Sequence, residues 1–362
     1  MSPTTRPIPI VACLAGDGIG PEVMAEAGRV IEAVSTLFGV RVRTVHLPFG
    51  GDAIDKHGDP FPSHVRAAVK ASDAVLLGAV GGPRWDGSER RPESGLLALR
   101  KELDAFANLR PVRHRNVDLM VVRELTGGLY FGPKTLEADS ASDECTYTRA
   151  QVERVARWAF KLARRRDGRV VSVDKANVLS TSKLWRRVVT ELHAAEYEEI
   201  RLSHELVDSF AMNLATKPEA YDVILTENLF GDILSDLAAA VAGGLGLAPS
   251  ASLGIEPPGI FEPVHGSAPD IAGQGEANPI AMILSVSMMF THGLGRRDIG
   301  RAIMAAVDEV LRAGIATADQ VLGGRAYATW EVGQAVCDAL PHHSSGAAEF
   351  ERNPYGEVIA RG

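Results

Sequence analysis

The sequence predicts an α/β fold in which helices pack on mainly parallel sheets. Two observations lead to this prediction. Short apolar runs typical of buried strands alternate with longer segments whose apolar residues recur at helical spacing. The alternation continues through most of the 362 residues, and strands joined by helices pair in parallel. A chain of this length is expected to form about two domains, at roughly 150 residues each.

The predicted elements follow one another along the chain. In the first helix, 21–38, Val23, Ala27 and Val30 recur on one face, and Pro21 suits the first helical position. Strands are predicted at seven apolar runs: IPIVACL, VRVRTVHL, DAVLLGAV, VDLMVVR, RVVSVD, EEIRLS and YDVILTE. A second helix covers SHVRAAVKA, and later helices are predicted to begin near Arg149, Ser180, His204 and Asp232.

Three segments depart from this pattern. Residues 132–150 are polar and are expected to form a protruding arm. The stretch FEPVHGSAPDIAGQGEANP, around His265, contains three prolines and three glycines, which are too many turn formers for a strand. The polar tail, 341–362, is expected to be loosely held.

Composition and charge exclude several classes of function. The formal net charge of -8 argues against a general binder of nucleic acids or anionic membranes, which needs a basic face. Cys13, Cys145 and Cys337 lie outside any CxxC pattern, so neither a disulfide framework nor a zinc site is expected, and a reducing cytoplasm fits best. The run AMILSVSMMF is about half the length that spans a bilayer, and no secretory leader is expected.

The segment VACLAGDGIGPEV places Gly16, Gly18 and Gly20 between a predicted strand and a predicted helix. Their G-x-G-x-G spacing misses the G-x-G-x-x-G of an ordinary dinucleotide-binding turn. In GGLYFGPKT a proline separates glycine from lysine, so the pattern of a phosphate-binding loop is also missed. An ordinary Rossmann turn and an ATP site are therefore not expected, and the glycines predict a tight turn that lines a cleft.

Two acidic residues in TENLFGDILSD form the strongest local signal. Asp232 and Asp236 lie four residues apart at the start of a predicted helix, so both carboxylates project from one face. With no histidine or cysteine nearby, such a pair suits a hard divalent cation such as Mg²⁺ or Mn²⁺. Two acids at a helix N-terminus would equally complement the helix dipole. These residues alone leave both interpretations open.

Three arginines are candidate holders of substrate carboxylates, because a guanidinium group offers two parallel donors: Arg100, Arg110 and Arg123. Taken singly, each is more often a surface arginine. Arg110 precedes Pro111 and Arg123 follows an apolar strand, so both are expected to end buried segments.

Other side chains offer proton transfer or polar contacts. Tyr130 follows two glycines and is either a proton donor or a core tyrosine. Lys175 follows a strand-like run. Beside a metal and arginines its pKa would fall and it could act as a base, whereas the alternative is an ion pair with Asp174. Asp270 could accept from ribose hydroxyls, and His265 is also compatible with a structural role.

Seven segments together resemble the metal-dependent β-decarboxylating dehydrogenases, the family of the isocitrate and isopropylmalate dehydrogenases. They are, in order, LAGDGIGPEV, RPESGLLALR, FANLRPV, RELTGGLYFG, VVSVDKANVL, TENLFGDILSD and FEPVHGSAPDIAG. Each is weak alone, but seven in order over about 11–340 are highly specific. The resemblance implies that family's two-domain fold with mainly parallel sheets, which is not an ordinary Rossmann fold. The expected domains are 1–105 with 243–362 for the cofactor, and 106–242 for substrate, metal and dimerisation, with a cleft between them.

The resemblance also implies NAD as the cofactor, held mainly by the loop around His265 and Gly266, called the histidine-glycine loop below. Glu93 matches a residue near the nicotinamide ribose. Asp270 followed by Ile271 matches the NAD-type pair, because an acid at this position would repel the 2′-phosphate of NADP. The residues implied for the adenosine half are His265, Gly266, Ser267, Ala268, Asp270, Ile271 and Asn278.

For the reacting groups, the resemblance implies that the three arginines clamp the substrate's carboxylates. Tyr130 matches the general acid and Lys175 the general base or relay. Asp232 and Asp236 match ligands of Mg²⁺ or Mn²⁺, and Asp208 matches a third ligand that also contacts substrate. In the family, this lysine and third aspartate reach the site from the neighbouring subunit, so a homodimer is expected.

The resemblance is closest to members that use isopropylmalate. It implies NAD-dependent oxidative decarboxylation of 3-isopropylmalate to 4-methyl-2-oxopentanoate, in cytoplasmic leucine biosynthesis. Leu96 and Leu97 lie four and three residues before Arg100 on the same helical side, where they offer an apolar wall to a branched alkyl group or are merely core. Isocitrate-using relatives need polar groups at this place.

Two alternatives remain at this stage. A relative that takes homoisocitrate or tartrate would share the mechanism and differ only in the pocket. A non-catalytic regulatory subunit would be expected to have lost site residues such as Tyr130, Lys175 or Asp232, and none is lost.

Overall fold

The computed structural model describes residues 8–88, 90–114, 117–241, 243–321 and 323–344. The chain divides into two compact units, Met1–Leu103 with Gly246–Gly362 and Asp104–Leu245. The division predicted from the sequence was 1–105 with 243–362, and 106–242.

The strands, in chain order, are β1 (Ile10–Gly16), β2 (Arg43–His46), β3 (Ala74–Ala79), β4 (Ala107–His114), β5 (Val117–Glu124), β6 (Lys134–Leu136), β7 (Ala141–Asp143), β8 (Arg169–Asp174), β9 (Arg201–Leu206), β10 (Val223–Thr226), β11 (Pro249–Leu253) and β12 (Gly259–Pro263). The α-helices are α1 (Gly20–Leu37), α2 (Gly51–His57), α3 (Ser63–Lys70), α4 (Pro92–Glu102), α5 (Arg149–Ala163), α6 (Ser180–Glu196), α7 (Val207–Thr216), α8 (Asn228–Val241), α9 (Ile280–Met288), α10 (Arg297–Arg312) and α11 (Thr329–Ala339).

In the first unit, the strands lie in the order β2-β1-β3-β12-β11. All neighbours pair in parallel except β11 and β12, which are antiparallel. Every residue of β3 is buried, which explains its continuous apolar sequence. Helix α9 is almost wholly buried and packs against β11, β12, α1 and α10. The apolar face predicted for the first helix is buried in α1, including Val23, Ala27 and Val30.

In the second unit, the order is β4-β5-β10-β8-β9. β4 and β5 are antiparallel, and the other neighbours are parallel. A buried apolar cluster, which includes Val121, Val173, Phe210, Ile224 and Leu234, joins β5, β8 and β10 to α7 and α8. The parallel strands β5, β8 and β10 therefore point their carboxyl ends toward one edge of this sheet, where ligands of α/β proteins bind.

Three predicted boundaries are wrong. The helix expected near His204 begins at Val207, and His204 lies in β9, an edge strand whose polar residues do not show apolar alternation. The helix expected near Asp232 begins four residues earlier, at Asn228. FEPVHGSAPD is not entirely loop, because Phe261 belongs to β12, where antiparallel pairing with β11 extends the strand up to Pro263.

The sequence analysis also did not predict β4 and β11, each of which contains a proline. β4 continues through Pro111, so Arg110 lies inside a strand and does not end a segment. β11 begins at Pro249. Within the predicted arm, β6 and β7 form an antiparallel hairpin whose residues are all exposed. Of the polar tail, the structure describes only residues up to 344, where His343 contacts Glu309 of α10; the expectation for 345–362 lies outside the described residues.

The glycine turn after β1 packs on the histidine-glycine loop of the same unit. The amide of Ile19 donates to the carbonyl of Ser267 at 2.8 Å. Gly18 has a φ of +56°, and a Cβ on it would collide with the backbone of Ser267. Asp17, which is buried, accepts from the backbone amides of Gly51, Asp52 and Gly81 at 2.9 to 3.0 Å. The three glycines thus serve close backbone packing within the first unit.

Gly18→Ala is expected to destabilise the protein by about 1–3 kcal/mol, because the turn must adopt a left-handed conformation and approach Ser267 closely. Gly28→Ala is the matched control, since Gly28 lies inside α1 with open space where a Cβ would lie. It is expected to stabilise the protein by about 0.5–1 kcal/mol. Chemical denaturation of both variants measures the difference, and a Gly18→Ala variant as stable as the wild type would contradict the packing account.

Candidate active site

Helix α8 carries the two aspartates of the strongest sequence motif. Asp232 and Asp236 lie one turn apart on it, and neither belongs to its first turn. The alternative that they serve the helix dipole is therefore wrong, because that effect is confined to the terminal turn. Glu227 precedes the helix instead and accepts from the amides of Leu229 and Phe230 at 3.1 and 2.6 Å. The N-terminus of α8 is thus capped by another acid.

Two antiparallel strands bring the arginines to these carboxylates. Arg110 lies in β4 and Arg123 near the end of β5, and both are buried. Arg123 Nη1 pairs with Asp232 Oδ1, and Arg110 Nη2 lies 3.4 Å from the same oxygen. Arg110 Nη1 also lies 3.2 Å from Asp236 Oδ1. One carboxylate therefore has two guanidinium groups against it.

Tyr130 completes this cluster. It ends a 3₁₀ turn, Gly128–Tyr130, and its hydroxyl donates to Asp232 Oδ2 at 2.8 Å. Burial and this hydrogen bond raise the pKa of Tyr130, so the hydroxyl keeps its proton near neutral pH. The tyrosine is about one third exposed, which excludes a role as a core residue. We call Arg110, Arg123, Tyr130, Asp232 and Asp236 the carboxylate cluster.

The turn that carries Tyr130 rests on a second tyrosine. A Cβ on Gly127 would lie 2.6 Å from the ring of Tyr147, so only glycine allows this approach. The Tyr147 hydroxyl accepts from the amide of Asn228 at 3.1 Å and contacts Glu227 at 3.3 Å. This explains the pair of glycines in the motif, since they let the turn sit directly on the N-terminus of α8.

The electrostatics of the carboxylate cluster favour anionic ligands and a cation at adjacent places. Burial raises the pKa of Asp236, and Asp232 adds to the rise, while Arg110 acts against it. The charges of Arg110 and Arg123 are partly compensated by Asp232. A ligand with carboxylate groups can take over the guanidinium donors, and Asp232 and Asp236 then become available to a cation.

Lys175 and Asp208, predicted to serve a neighbouring subunit, lie together. Lys175 follows β8, and its Nζ lies 2.5 Å from Asp208 Oδ1 in the first turn of α7. The Lys175 ammonium lowers the pKa of Asp208. The alternative pairing with Asp174 is wrong, because Asp174 binds both Nε and Nη2 of Arg186 at 2.8 Å. Lys175 itself is held at its backbone amide by Ser182 Oγ.

Among the residues that the structure describes, no three His, Cys, Asp or Glu side chains group in a way that could hold a metal ion. Asp208 therefore does not join Asp232 and Asp236 within one chain. Among the described residues, Asp232 and Asp236 therefore form a pair without a third such side chain grouped beside them.

The other predicted substrate residues lie in the first unit, on α4. Arg100 Nη2 pairs with Glu262 of β12 at 3.0 Å. Leu99, not Leu96 or Leu97, fills the core: Leu99 is fully buried, Leu96 is half-buried, and Leu97 is 37% exposed. The interpretation as a core residue is thus wrong for Leu97, whereas the partial burial of Leu96 leaves both interpretations open for that residue.

The predicted cofactor residues are also in the first unit. His265 Nδ1 donates to the carbonyl of Gly266 at 2.9 Å, and burial lowers the pKa of the ring. Its Nε2 therefore carries a lone pair, yet it is buried and makes no hydrogen bond with the residues that the structure describes. Asn278 donates to Asp319 at 3.0 Å. The remaining predicted positions, half-buried or exposed apart from Ser267, are Glu93, Gly266, Ser267, Ala268, Asp270 and Ile271.

Sequence reasoning missed several residues that organise these places. Asp17 lies between Gly16 and Gly18, and the spacing of these glycines does not by itself indicate a role for the aspartate between them. Asn108 and Asn228 bind the arginine side chains, and Asp319 binds Asn278. The motifs FANLRPV and TENLFGD contain both asparagines, so their presence beside the candidate arginine and aspartate was the available signal.

Comparison with known proteins now decides the family. The model of the isocitrate/isopropylmalate dehydrogenase family matches residues 10–336. The chain belongs to this family.

Curated relatives in the family are similar over nearly the whole chain. A 3-isopropylmalate dehydrogenase from Shouchella clausii is 50% identical over 360 residues, which cover 93% of this chain and 99% of the relative. One from Oleidesulfovibrio alaskensis is 51% identical, with coverage of 85% and 93%.

Solved structures support the same membership. Isocitrate dehydrogenase from Methylococcus capsulatus matches with a TM-score of 0.85 and 36% identity, over 92% of this chain and 100% of that one. A β-decarboxylating dehydrogenase from Thermococcus kodakarensis matches with 0.80 and 41%, over 92% and 97%. These likenesses confirm the predicted family fold.

In the described residues, no helix has the length and apolar character needed to cross a bilayer.

Proposed function

We propose that this protein is an NAD-dependent enzyme that converts 3-isopropylmalate to 4-methyl-2-oxopentanoate, a step of leucine biosynthesis. The observation that carries the proposal is the carboxylate cluster, which sets two buried guanidinium groups and one phenol against a pair of aspartates. The names of the curated relatives, at about 50% identity, support the substrate. Three free cysteines accord with a cytoplasmic place of action.

The donor set fits a divalent cation of the Mg²⁺ or Mn²⁺ type. Asp232 and Asp236 supply hard oxygen ligands from successive turns of α8. They would be completed by Asp208 of the partner subunit and by substrate oxygens. When bound, the metal would polarise the 2-hydroxyl group and lower its pKa.

The histidine-glycine loop fits the adenine end of NAD. The buried, unpaired Nε2 of His265 is an acceptor for an amino group such as that of adenine. Asp270 is exposed and would accept from the ribose hydroxyls while repelling the 2′-phosphate of NADP. When bound, NAD would accept the hydride that leaves C2 of the substrate.

The protein's own groups then carry out proton transfer and orientation. Lys175 of the partner subunit takes the proton of the 2-hydroxyl group, directly or through a relay, as C2 is oxidised to a ketone. The bond between C3 and its carboxyl group breaks, CO₂ leaves, and the electron pair remains as an enolate. Tyr130, which keeps its proton because its pKa is raised, protonates C3.

The two clamping arginines have to change partners for this to occur. Arg110 and Arg123 both contact Asp232 in the structure. A substrate with two carboxylates offers them equivalent acceptors, which releases Asp232. Carboxylate binding and cation binding should therefore assist one another.

Substrate choice depends on α4. Leu96 and Leu97 present apolar surface one turn from Arg100, and they suit an isopropyl group better than a third carboxylate. The solved isocitrate dehydrogenase shares the fold at lower identity, so fold alone does not separate the two substrates. Homoisocitrate and tartrate are the other candidate substrates. The regulatory-subunit alternative has no support, because every predicted catalytic residue is present.

We further propose a homodimer in which each chain lends Lys175 and Asp208 to its partner. Their ion pair supports this, since it holds both groups together as one unit. The exposed apolar side chains Met212 on α7 and Ile233 on α8 offer surface for a second copy. The missing third metal ligand among the described residues of one chain also favours completion by another chain.

The substrate prediction is tested by NADH formation with 3-isopropylmalate, isocitrate, homoisocitrate, malate and tartrate, each with and without chelator. Turnover should be confined to 3-isopropylmalate and should stop on chelation. Asp236→Asn should lower kcat/KM at least about a hundredfold, because it removes a charged ligand. Asp139→Asn, on the exposed hairpin, is the matched control and should match the wild type. Preferred turnover of another acid would overturn the interpretation of Leu96 and Leu97.

The shared site is tested by mixing two inactive variants, Tyr130→Phe and Lys175→Met, after reversible dissociation. In a mixed dimer, one site combines both substitutions and the other has neither. Random pairing in a two-fold symmetric dimer should restore roughly a quarter of wild-type activity. Each variant remixed with itself is the control. A mixture no more active than its components would show that Tyr130 and Lys175 act within one chain.

A further inference from the structure

Asn228 lies where the parts of the carboxylate cluster meet. It is the first residue of α8 and is fully buried. Its Oδ1 accepts from Arg123 Nε at 3.0 Å and from Arg123 Nη2 at 2.7 Å. Its Nδ2 donates to the carbonyl of Gly127 at 3.0 Å, directly before the turn that carries Tyr130. One amide thus joins the clamping arginine to the backbone of the acid's turn.

The contact with Arg123 fixes the plane of the guanidinium group. Two nitrogens on one edge share a single oxygen, so the edge that bears Nη1 is directed toward Asp232. Because an arginine side chain has many rotamers, ordering it in advance removes a cost that ligand binding would otherwise bear.

The chemical type of the acceptor is also informative. A carboxylate at this position would hold Arg123 as firmly but would cancel much of its charge. An amide oxygen orients the group without adding a second negative charge to that of Asp232, which already pairs with Arg123. Arg110 is held in the same manner, since its Nε donates to Asn108 Oδ1 at 2.7 Å. By contrast, Arg100 of the first unit pairs with the carboxylate of Glu262.

We propose that Asn228 is a positioning residue for substrate binding. It orients Arg123 through a neutral acceptor and ties it to the Tyr130 turn, so that Asn228 itself adds no negative charge that would compete with a substrate carboxylate for the arginine. This inference rests on the proposed function, because the anionic ligand is the dicarboxylate substrate.

The test compares Asn228→Asp and Asn228→Ala with the wild type. KM for 3-isopropylmalate and KM for NAD are measured separately for each protein, from about pH 6 to pH 9. Asn228→Ala should raise KM for 3-isopropylmalate by roughly tenfold, as expected for loss of a hydrogen bond to a charged group, with KM for NAD unchanged. Asn228→Asp should raise it further across this range, because the guanidinium group of Arg123 favours the ionised form of the new carboxylate, and that form cancels part of the charge of Arg123.

The comparison of the two variants separates positioning with a neutral acceptor from a merely structural role. An ionised aspartate keeps the contact with Arg123 but cancels part of its charge, whereas alanine removes the contact and leaves the charge. The ratio of KM for 3-isopropylmalate in Asn228→Asp to that in wild type should therefore exceed the same ratio for Asn228→Ala at each pH. Asn213→Asp is the matched control, because Asn213 lies in the same unit but its side-chain amide donates to Glu205 instead of joining the carboxylate cluster, and its KM ratio to wild type should stay near one.

The proposal is overturned if Asn228→Asp and Asn228→Ala behave alike at every pH, or if both raise the two KM values equally. Asn228→Ser replaces the alanine variant if that one does not fold. Wild-type protein without turnover of 3-isopropylmalate would count against the proposed function instead. Positioning would then be read from calorimetric binding of succinate to wild type and to Asn228→Asp, with weaker binding to the variant expected at high pH.

Discussion

The contact of one carboxylate, Asp232, with two guanidinium groups and a phenol is the interaction on which the second unit depends. Buried arginines are tolerated only where their charges find partners, and Arg110 and Arg123 find them on α8. The antiparallel pair β4 and β5 exists at the place where both arginines can reach that helix. The glycine-rich turn then adds Tyr130 to the same carboxylate.

In this arrangement each buried arginine of the carboxylate cluster contacts both a neutral amide and an acid. Neutral amides, from Asn108 and Asn228, hold the inner edges of both arginines. The outer edges face acids that are partly exposed, so a ligand can exchange with them. Lys175 and Asp208 form an ion pair of their own, and in the proposed homodimer this pair would serve the site of the partner subunit.

Much of the fold followed from the sequence, because buried parallel strands are continuous apolar runs and most helices carry clear apolar faces. Elements that depend on tertiary pairing did not. β4 and β11 contain prolines and are strands only because an antiparallel neighbour supports them, and β9 is a polar edge strand. For the site, charged residue types indicated Arg123 and Asp232, but their mutual contact and the supporting amides depend on the order of strands, which spacing along the chain does not reveal.

We propose that Arg110 and Arg123 leave Asp232 for a dicarboxylate and so make the two aspartates of α8 available to a cation. Calorimetric titration of Mn²⁺ into the protein with and without 2-isopropylsuccinate tests it most directly, because this ligand has both carboxylates but lacks the hydroxyl that would chelate the metal. The account predicts that the ligand tightens Mn²⁺ binding about tenfold, with the reciprocal effect of Mn²⁺ on the ligand. Mn²⁺ affinity that is unchanged or weakened by the ligand would contradict it.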